Sequence, residues 1–471
     1  MKSREGKGPA RHTIIAASFL ACAVVLGGGG SPNPGTEFLL QLIFVVAAAA
    51  WLWTPLSVDV VPFSRPASVW IVCALILALP LLQLIPLPAG IWTSIPGNED
   101  RVAALALVGR QGSWQPLSHA PTQTVASVLA IVPALFAFVA SASLGSRGRS
   151  WILGVIALMA LVSALVGAMQ LSLGEQGFNL YDQFHPGVVT GFQANRNATA
   201  DVLLIGAAAT AAFLAPSLAQ ARQPGTIRGL VFMPGSRAPG LVLASVLVLL
   251  ILATVLTRSR TGIALAPLAL LGIWIILRPA LKAQPRWLLL VPVTALGVGL
   301  LIMAGLMAGN SVLAGVAGRF SLTHDFRIEL WTDAWFAMAR AWPFGIGMGG
   351  VQSALIAAER LEILDALLPN RVHNDYLELT LEAGVVGLVF LAAIATLLVR
   401  LAWRTWRDRP EDRHMTACGL TILAIAAAHS FVDYPLRSMA LACLIGTGAG
   451  LLVATPRVRV TNDAVTNGSI A

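Results

Sequence analysis

The chain has 471 residues, of which 57% are hydrophobic and 11% charged, and its mean hydropathy is +0.78. That composition excludes an ordinary soluble domain, in which roughly a quarter of the residues are charged, and indicates a polytopic membrane protein. The formal charge of +9 then reflects orientation in a bilayer rather than nucleic-acid binding, and no nucleic-acid module is visible in the sequence.

In chain order, windows apolar enough to cross a bilayer are predicted near 13–30, 37–53, 67–86, 122–143, 151–172, 198–216, 240–257, 261–278, 287–309, 376–401, 415–432 and 438–455. The fold class is therefore an all-α transmembrane bundle of about twelve spans, with eleven and thirteen as alternatives because two of the connections are very short. The basic N-terminus before Ile14–Leu26 is like a signal peptide, but Gly27–Gly30 offers no A-x-A site, so the segment is read as an uncleaved first span. Cys22, Cys73, Cys418 and Cys443 all lie inside apolar runs, without metal-ligand spacing, and predict neither disulfides nor a zinc site.

With the N-terminus cytoplasmic, the larger share of the 31 Lys and Arg residues falls inside, including Lys2, Lys7 and Lys282. The positive-inside rule then places both termini in the cytoplasm. Arginines on the outer side run against that rule and become the informative ones: Arg196, Arg258, Arg260, Arg327, Arg371 and Arg437 are among them.

The longest external segment spans 310–374. Within it, 325–340 predicts an amphipathic helix, with Phe326, Leu330, Ala334 and Met338 at i+4 spacing. A glycine turn at 345–350 and a second short helix at about 352–367 follow. This gives N-terminal spans over 1–190, a catalytic membrane region over 191–455 that includes the external loop 310–374, and a disordered cytoplasmic tail over 456–471.

Four polar stretches stand out, all on the predicted external face. In the first, 371–387, Asp375 and Glu378 have capping-box spacing, which starts a helix just after His373-Asn374. His373 then sits ahead of the first turn, where an imidazole can accept a substrate proton. Glu378 and Glu382 share a helix face and turn inward, Glu378 as a cap ligand and Glu382 as half of an interhelical ion pair. Gly384 and Gly387 are read as small residues against which a neighbouring helix packs.

The second, Thr257-Arg-Ser-Arg-Thr-Gly262, puts Arg258 and Arg260 in a tight turn where two guanidinium groups can fork onto a phosphate or anchor to headgroups. The third, 191–200, carries Asn195, Arg196 and Asn197, which either hold a sugar or phosphate or form an ordinary loop capped at Asn197. In the fourth, His429 and Asp433 are i,i+4 and Arg437 is placed to meet a carboxylate, an arrangement read as structural. Together these suggest an anion site with a proton transfer beside it. A G-x-G at 345–347 follows no strand and is no dinucleotide motif.

The order of these stretches resembles the O-antigen ligase and polymerase superfamily of bacterial envelope glycosyltransferases. His373-Asn-Asp-Tyr-Leu-Glu-Leu-Thr-Leu-Glu-Ala-Gly-Val-Val-Gly387 is similar to its H-N-x-Y-L…E-x-G-x-x-G signature. Thr257–Gly262, Arg327-Ile-Glu-Leu-Trp331, Pro343-Phe-Gly-Ile-Gly347 and Gly191-Phe…Asn195-Arg-Asn197 support it.

The resemblance implies an enzyme of the inner membrane that takes a glycan from undecaprenyl diphosphate at the periplasmic face, without a metal or other cofactor. Arg260 and Arg327 would bind the diphosphate, and His373 would be the base that deprotonates the acceptor hydroxyl or otherwise orients it for attack. Arg258, Arg196 and Asn195 would assist at the substrate, with Glu382, Glu378, Asn374 and Arg437 supporting. The expected partners are that lipid-linked donor, a glycolipid or glycan acceptor and the bilayer. Ligation of O-antigen to lipid A–core is the expected reaction. The alternatives are polymerisation of O-antigen or exopolysaccharide repeat units and, in a different class, transport of a polysaccharide intermediate.

Overall fold

Backbone polar groups in lipid have no water to bond, so an apolar chain closes them within helices. The computed structural model describes residues 9–29, 34–55, 66–174, 178–181, 187–220, 238–281, 326–363 and 368–455, and there the fold is nearly all helical. The apolar helices are α1 (Arg11–Leu26), α2 (Pro34–Trp53), α3 (Ala67–Gln83), α6 (Pro121–Ser143), α7 (Ser146–Leu173), α8 (Arg196–Gln220), α9 (Ala238–Leu256), α10 (Arg260–Leu281), α13 (Asp375–Asp408), α14 (Arg413–His429) and α15 (Met439–Leu451).

Among the described residues, α2, α6, α7, α8, α10 and α13 are long and apolar enough to cross a membrane, while α1, α3, α9 and α15 are shorter apolar helices. Each predicted span except one therefore falls on a helix. The exception, 287–309, lies outside the described residues, as do the tail 456–471 and residues 310–325 of the external segment.

The main core is built around α8. Of its most apolar window, 78% is buried, against 17% for α2 and for α13, so α8 is an interior helix and the other two turn most of their surface outward. An interior helix must be apolar on every side, and α8 achieves this with small residues such as Ala207, Ala208, Ala211 and Ala212, all buried. Small residues also set the spacing of its neighbours. A Cβ on Gly206 would lie 2.1 Å from that of Ala160 on α7, and one on Gly262 of α10 would lie 2.3 Å from that of Ala200.

The connection from α3 to α6 carries the short helices α4 (Ala89–Trp92) and α5 (Glu99–Leu107). It also carries a small antiparallel pair in which Pro86 lies opposite Pro116 and Leu87 opposite Gln115. The amphipathic helix predicted over 325–340 is α11 (Phe326–Ala341). The second predicted helix, 352–367, is interrupted: α12 covers Val351–Ala358 and turns extended at Glu359, Arg360 reaches back to Asp333 on α11 at 2.8 Å, and 364–367 lie outside the described residues.

At the end of the bundle where α6 and α15 finish, Arg149 is fully buried. Its guanidinium donates to the carbonyls of Ser141 (3.1 Å), Leu144 (3.0 Å), Ala142 (3.0 Å) and Val453 (2.5 Å). Carbonyls at helix C-termini have no intrahelical donor, and a cation there also suits the helix dipole. Arg149, counted by sequence among the surface charges that set orientation, thus serves as a buried clamp across two helix ends. Replacement by Leu leaves these carbonyls without donors and is expected to lower stability by about 3 kcal/mol. Thermal unfolding in detergent checks this, and an unchanged midpoint would contradict the clamp.

Candidate active site

The loop 368–374 delivers His373 to the start of α13. His373 has φ +55°, a left-handed conformation uncommon outside glycine. The next residue, Asn374, is the N-cap, and its side-chain oxygen accepts from the backbone N–H groups of Tyr376 and Leu377, both at 3.0 Å. This corrects the Asp375/Glu378 capping box. Asp375 is already helical, and its carboxylate accepts from Ser430 Oγ (2.9 Å) and Leu436 N–H (3.2 Å). Those bonds fasten the start of α13 to the loop 430–438 that joins α14 and α15.

That loop places Asp433 beside His373, with Nδ1 and Oδ1 3.0 Å apart. The same carboxylate accepts from Tyr434 N–H (3.0 Å) and from Asn197 Nδ2 (2.5 Å). Burial alone would raise the pKa of Asp433, but the hydrogen bonds and charge of His373 and His429 hold it below the ordinary carboxylate range. An ionised carboxylate can only accept, so the Nδ1 that faces Asp433 is the donor of this hydrogen bond. Tyr434 stacks edge-on against His373, with ring centroids 4.8 Å apart, and burial together with the Asp433 charge pushes its hydroxyl up to about 12.

Asn197 extends the network to the arginine turn. Its side-chain oxygen accepts from Ser259 Oγ at 2.7 Å, and Ser259 Oγ in turn accepts from Gly262 N–H at 2.9 Å, capping α10. Arg258, with φ +52°, and Arg260 flank this serine. The Arg258 guanidinium lies near Gly187, where a Cβ would stand 3.6 Å from Nη2. Asn195 Oδ1 accepts from Asn197 N–H at 2.8 Å, so the cap of α8 is Asn195 rather than Asn197, and Arg196 opens the helix. Arg327 lies in the first turn of α11, one turn before Trp331, whose indole donates to Val372 O at 3.0 Å. The arginine-bearing segments therefore attach to the residues beside His373 through Ser259 and Trp331.

Behind this edge lies a buried ion cluster. Glu378 meets Arg371 (3.0 Å) and Arg437 (3.0 Å) and accepts from Val372 N–H (3.1 Å), while Glu382 also pairs with Arg437. The predicted ion pair of Glu382 is thus present, and Glu378 is an ion-pair residue rather than the cap ligand. Burial works against the Arg437 charge, but Glu382, Glu378 and Asp375 outweigh it and raise its pKa above the usual guanidinium value.

The signature glycine Gly384 admits a loop rather than a neighbouring helix. Gly384 breaks α13, with φ +57° and ψ −146°, and the loop 343–349 docks into the break. Val385 N–H donates to Pro343 O (3.0 Å), Ile346 N–H to Leu381 O (3.1 Å) and Gly347 N–H to Glu382 O (2.9 Å). Gly349 N–H donates to Glu382 Oε1 (2.6 Å). The Pro-Phe-Gly-Ile-Gly and Glu-x-Gly elements are therefore one structural unit. At Gly387 the nearest atoms to an added Cβ belong to Ala383 and Leu379 of its own helix.

Sequence reasoning treated Asp433 and His429 as structural and passed over Asp201. A lone Asp in an apolar helix is itself a signal, and Asp201 on α8 was the one to follow. Its Oδ2 lies 2.5 Å from His429 Nδ1. A narrow cavity of about 20 Å³ borders Asn195, His429, Asp433, Tyr434 and Ser438. Ligand sites run to hundreds of Å³, so this gap behind the carboxylate is too small for a substrate.

Residues 245–392 match the family described as O-Antigen ligase, which supports the O-antigen ligase superfamily and brackets the arginine turn, α11, the docked loop and His373. No curated protein matches the chain.

Gly384→Ala forces a Cβ to 1.8 Å from Pro343 O in a backbone region reserved for glycine. It is expected to cost about 1–3 kcal/mol in backbone strain alone and to release the 343–349 loop. Gly387→Ala is the contrasting variant: its Cβ crowds Ala383 of the same helix rather than the loop backbone, and the loop is expected to stay docked. Limited proteolysis of the loop reads the difference, and equal cleavage in both variants would contradict the docking.

Proposed function

We propose that the chain is a membrane glycosyltransferase that moves a glycan from an undecaprenyl diphosphate donor to an acceptor hydroxyl at the periplasmic face, with O-antigen ligation to lipid A–core as the reaction. Support comes from the family match and, above all, from one observation. The carboxylate that holds His373 also holds Asn197, which bonds Ser259 between the two arginines of the tight turn.

In this reading His373 Nε2 takes the acceptor O–H proton as that oxygen attacks the anomeric carbon. The bond from that carbon to the diphosphate breaks, and its electron pair leaves with the diphosphate. Arg260 and Arg327 face the charge that develops there, with Arg258, Arg196 and Asn195 lining the approach; electrostatic stabilisation of this kind is commonly the largest catalytic contribution. Asp433 fixes the reactive tautomer of His373 and stabilises the imidazolium, as the carboxylate does in a Ser-His-Asp triad. Glu378, Glu382, Asn374 and Arg437 act on the scaffold beneath. Both termini are cytoplasmic.

Single replacement of His373, Arg260 or Arg327 by Ala is expected to abolish the surface glycan while the protein stays in the membrane; wild-type glycan in all three variants would overturn the reading. Asp433→Asn is expected to reduce transfer by about 10²–10⁴-fold, and a rate within a few fold of wild type would remove Asp433 from the mechanism. In a deletion strain, ligation requires full-length polymer to accumulate on the lipid carrier. Accumulation of single repeat units would identify a polymerase instead.

A further inference from the structure

Behind Asp433 stands a second acid–imidazole pair. His429, at the end of α14, and Asp201, near the start of α8, have side chains only 2% and 1% exposed, and Asp433 is 3% exposed. His429 Nδ1 is 2.5 Å from Asp201 Oδ2, and its Nε2 is 3.6 Å from Asp433 Oδ2. The imidazole is therefore enclosed between two carboxylates.

Burying one uncompensated charge is costly, and burying two like charges is more so. Asp433 has donors from His373, Asn197 and the Tyr434 backbone. At Asp201, by contrast, Oδ1 is buried without a hydrogen-bond partner among the described residues, and Oδ2 meets His429. Asp201 thus depends on His429. The titratable groups facing His429 are Asp201 from α8 and Asp433 from the 430–438 loop, with Tyr434 and His373 beyond Asp433.

We propose that His429 is a buried imidazolium that neutralises Asp201, leaving Asp433 as the single negative charge that positions His373. His429 and Asp201 are then positioning residues, set one layer behind the reacting atoms. Resting on the glycosyl-transfer reading, the arrangement carries net charge −1 while His373 is neutral and becomes neutral when His373 gains the acceptor proton. A neutral His429 would instead leave two buried anions. Asp201 has no donor among the described residues to replace His429, and its surplus charge beside Asp433 would weaken the hold on His373.

Charge balance gives an unusual signature. His429→Gln removes the cation and is expected to reduce kcat by about 100-fold with little change in KM. Asp201→Asn alone, which leaves one carboxylate and a neutral imidazole, costs less than about tenfold. Adding Asp201→Asn to His429→Gln is expected to restore at least tenfold of the lost rate, since the surplus anion is gone, and such non-additivity marks direct coupling. A double variant no faster than His429→Gln would overturn the proposal, because a merely structural pair gives no rescue.

A second measurement does not depend on turnover. In ¹⁵N-histidine NMR of the full chain in nanodiscs at pH 8, assigned with His429→Gln, both ring nitrogens of His429 are expected to carry protons. A neutral His429 would overturn the proposal whatever the activity. An imidazolium at His429 in a protein that transfers no glycan would instead count against the glycosyltransfer reading and leave this one standing.

Discussion

A carboxylate buried at a helix mouth is stable only when its lone pairs are met by donors, and Asp433 satisfies that demand with groups from three separate places in the chain. His373 comes from the segment before α13, Asn197 from the first turn of α8 and a backbone N–H from its own loop. Because each donor is fixed by a different element, the carboxylate also fixes where those elements stand relative to one another. The constraint is geometric as much as energetic: remove the acceptor and His373, Asn197 and Ser259 lose their common reference point.

The ion cluster one layer deeper does related work by other means. Glu378 and Glu382, a turn apart on α13, divide the charges of Arg371 and Arg437 between them, and buried ion pairs of this kind set geometry more reliably than they add stability. Glu382 has a further task, since its side chain and its main-chain carbonyl both receive N–H groups from the loop 343–349. That loop can approach so closely only because Gly384 lacks a side chain and adopts a conformation closed to other residues. The helix break and the ion cluster are thus two halves of one joint.

The helices were legible in the sequence because lipid imposes a length and a hydropathy that a window can measure. The cap at Asn374 was not, since Asn374 and Asp375 are both good N-cap residues and only the packing of Asp375 against Ser430 and Leu436 decides between them. Gly384 was recognisable as important but not as a break, because a glycine that admits a neighbouring helix and one that turns the chain are spelled alike. His373 could be singled out from its motif, whereas Asp433 and Asp201 lie 60 and 228 positions from their histidine partners. At that distance periodicity carries no information about contact.

Those long separations bear on how the chemistry is divided. In the proposed reaction a base that accepts a proton and a cationic turn that faces an anion make opposite electrostatic demands, which are easier to meet from separate elements. Here the arginines that lie on the same side as Glu378 and Glu382, Arg371 and Arg437, are indeed consumed in pairing. Arg258 and Arg260 stand on the α9–α10 turn, which joins the His373 edge through the neutral side chains of Ser259 and Asn197. A neutral link transmits position without cancelling charge, and the proposed transfer from a diphosphate, with His373 as its base, would use that separation.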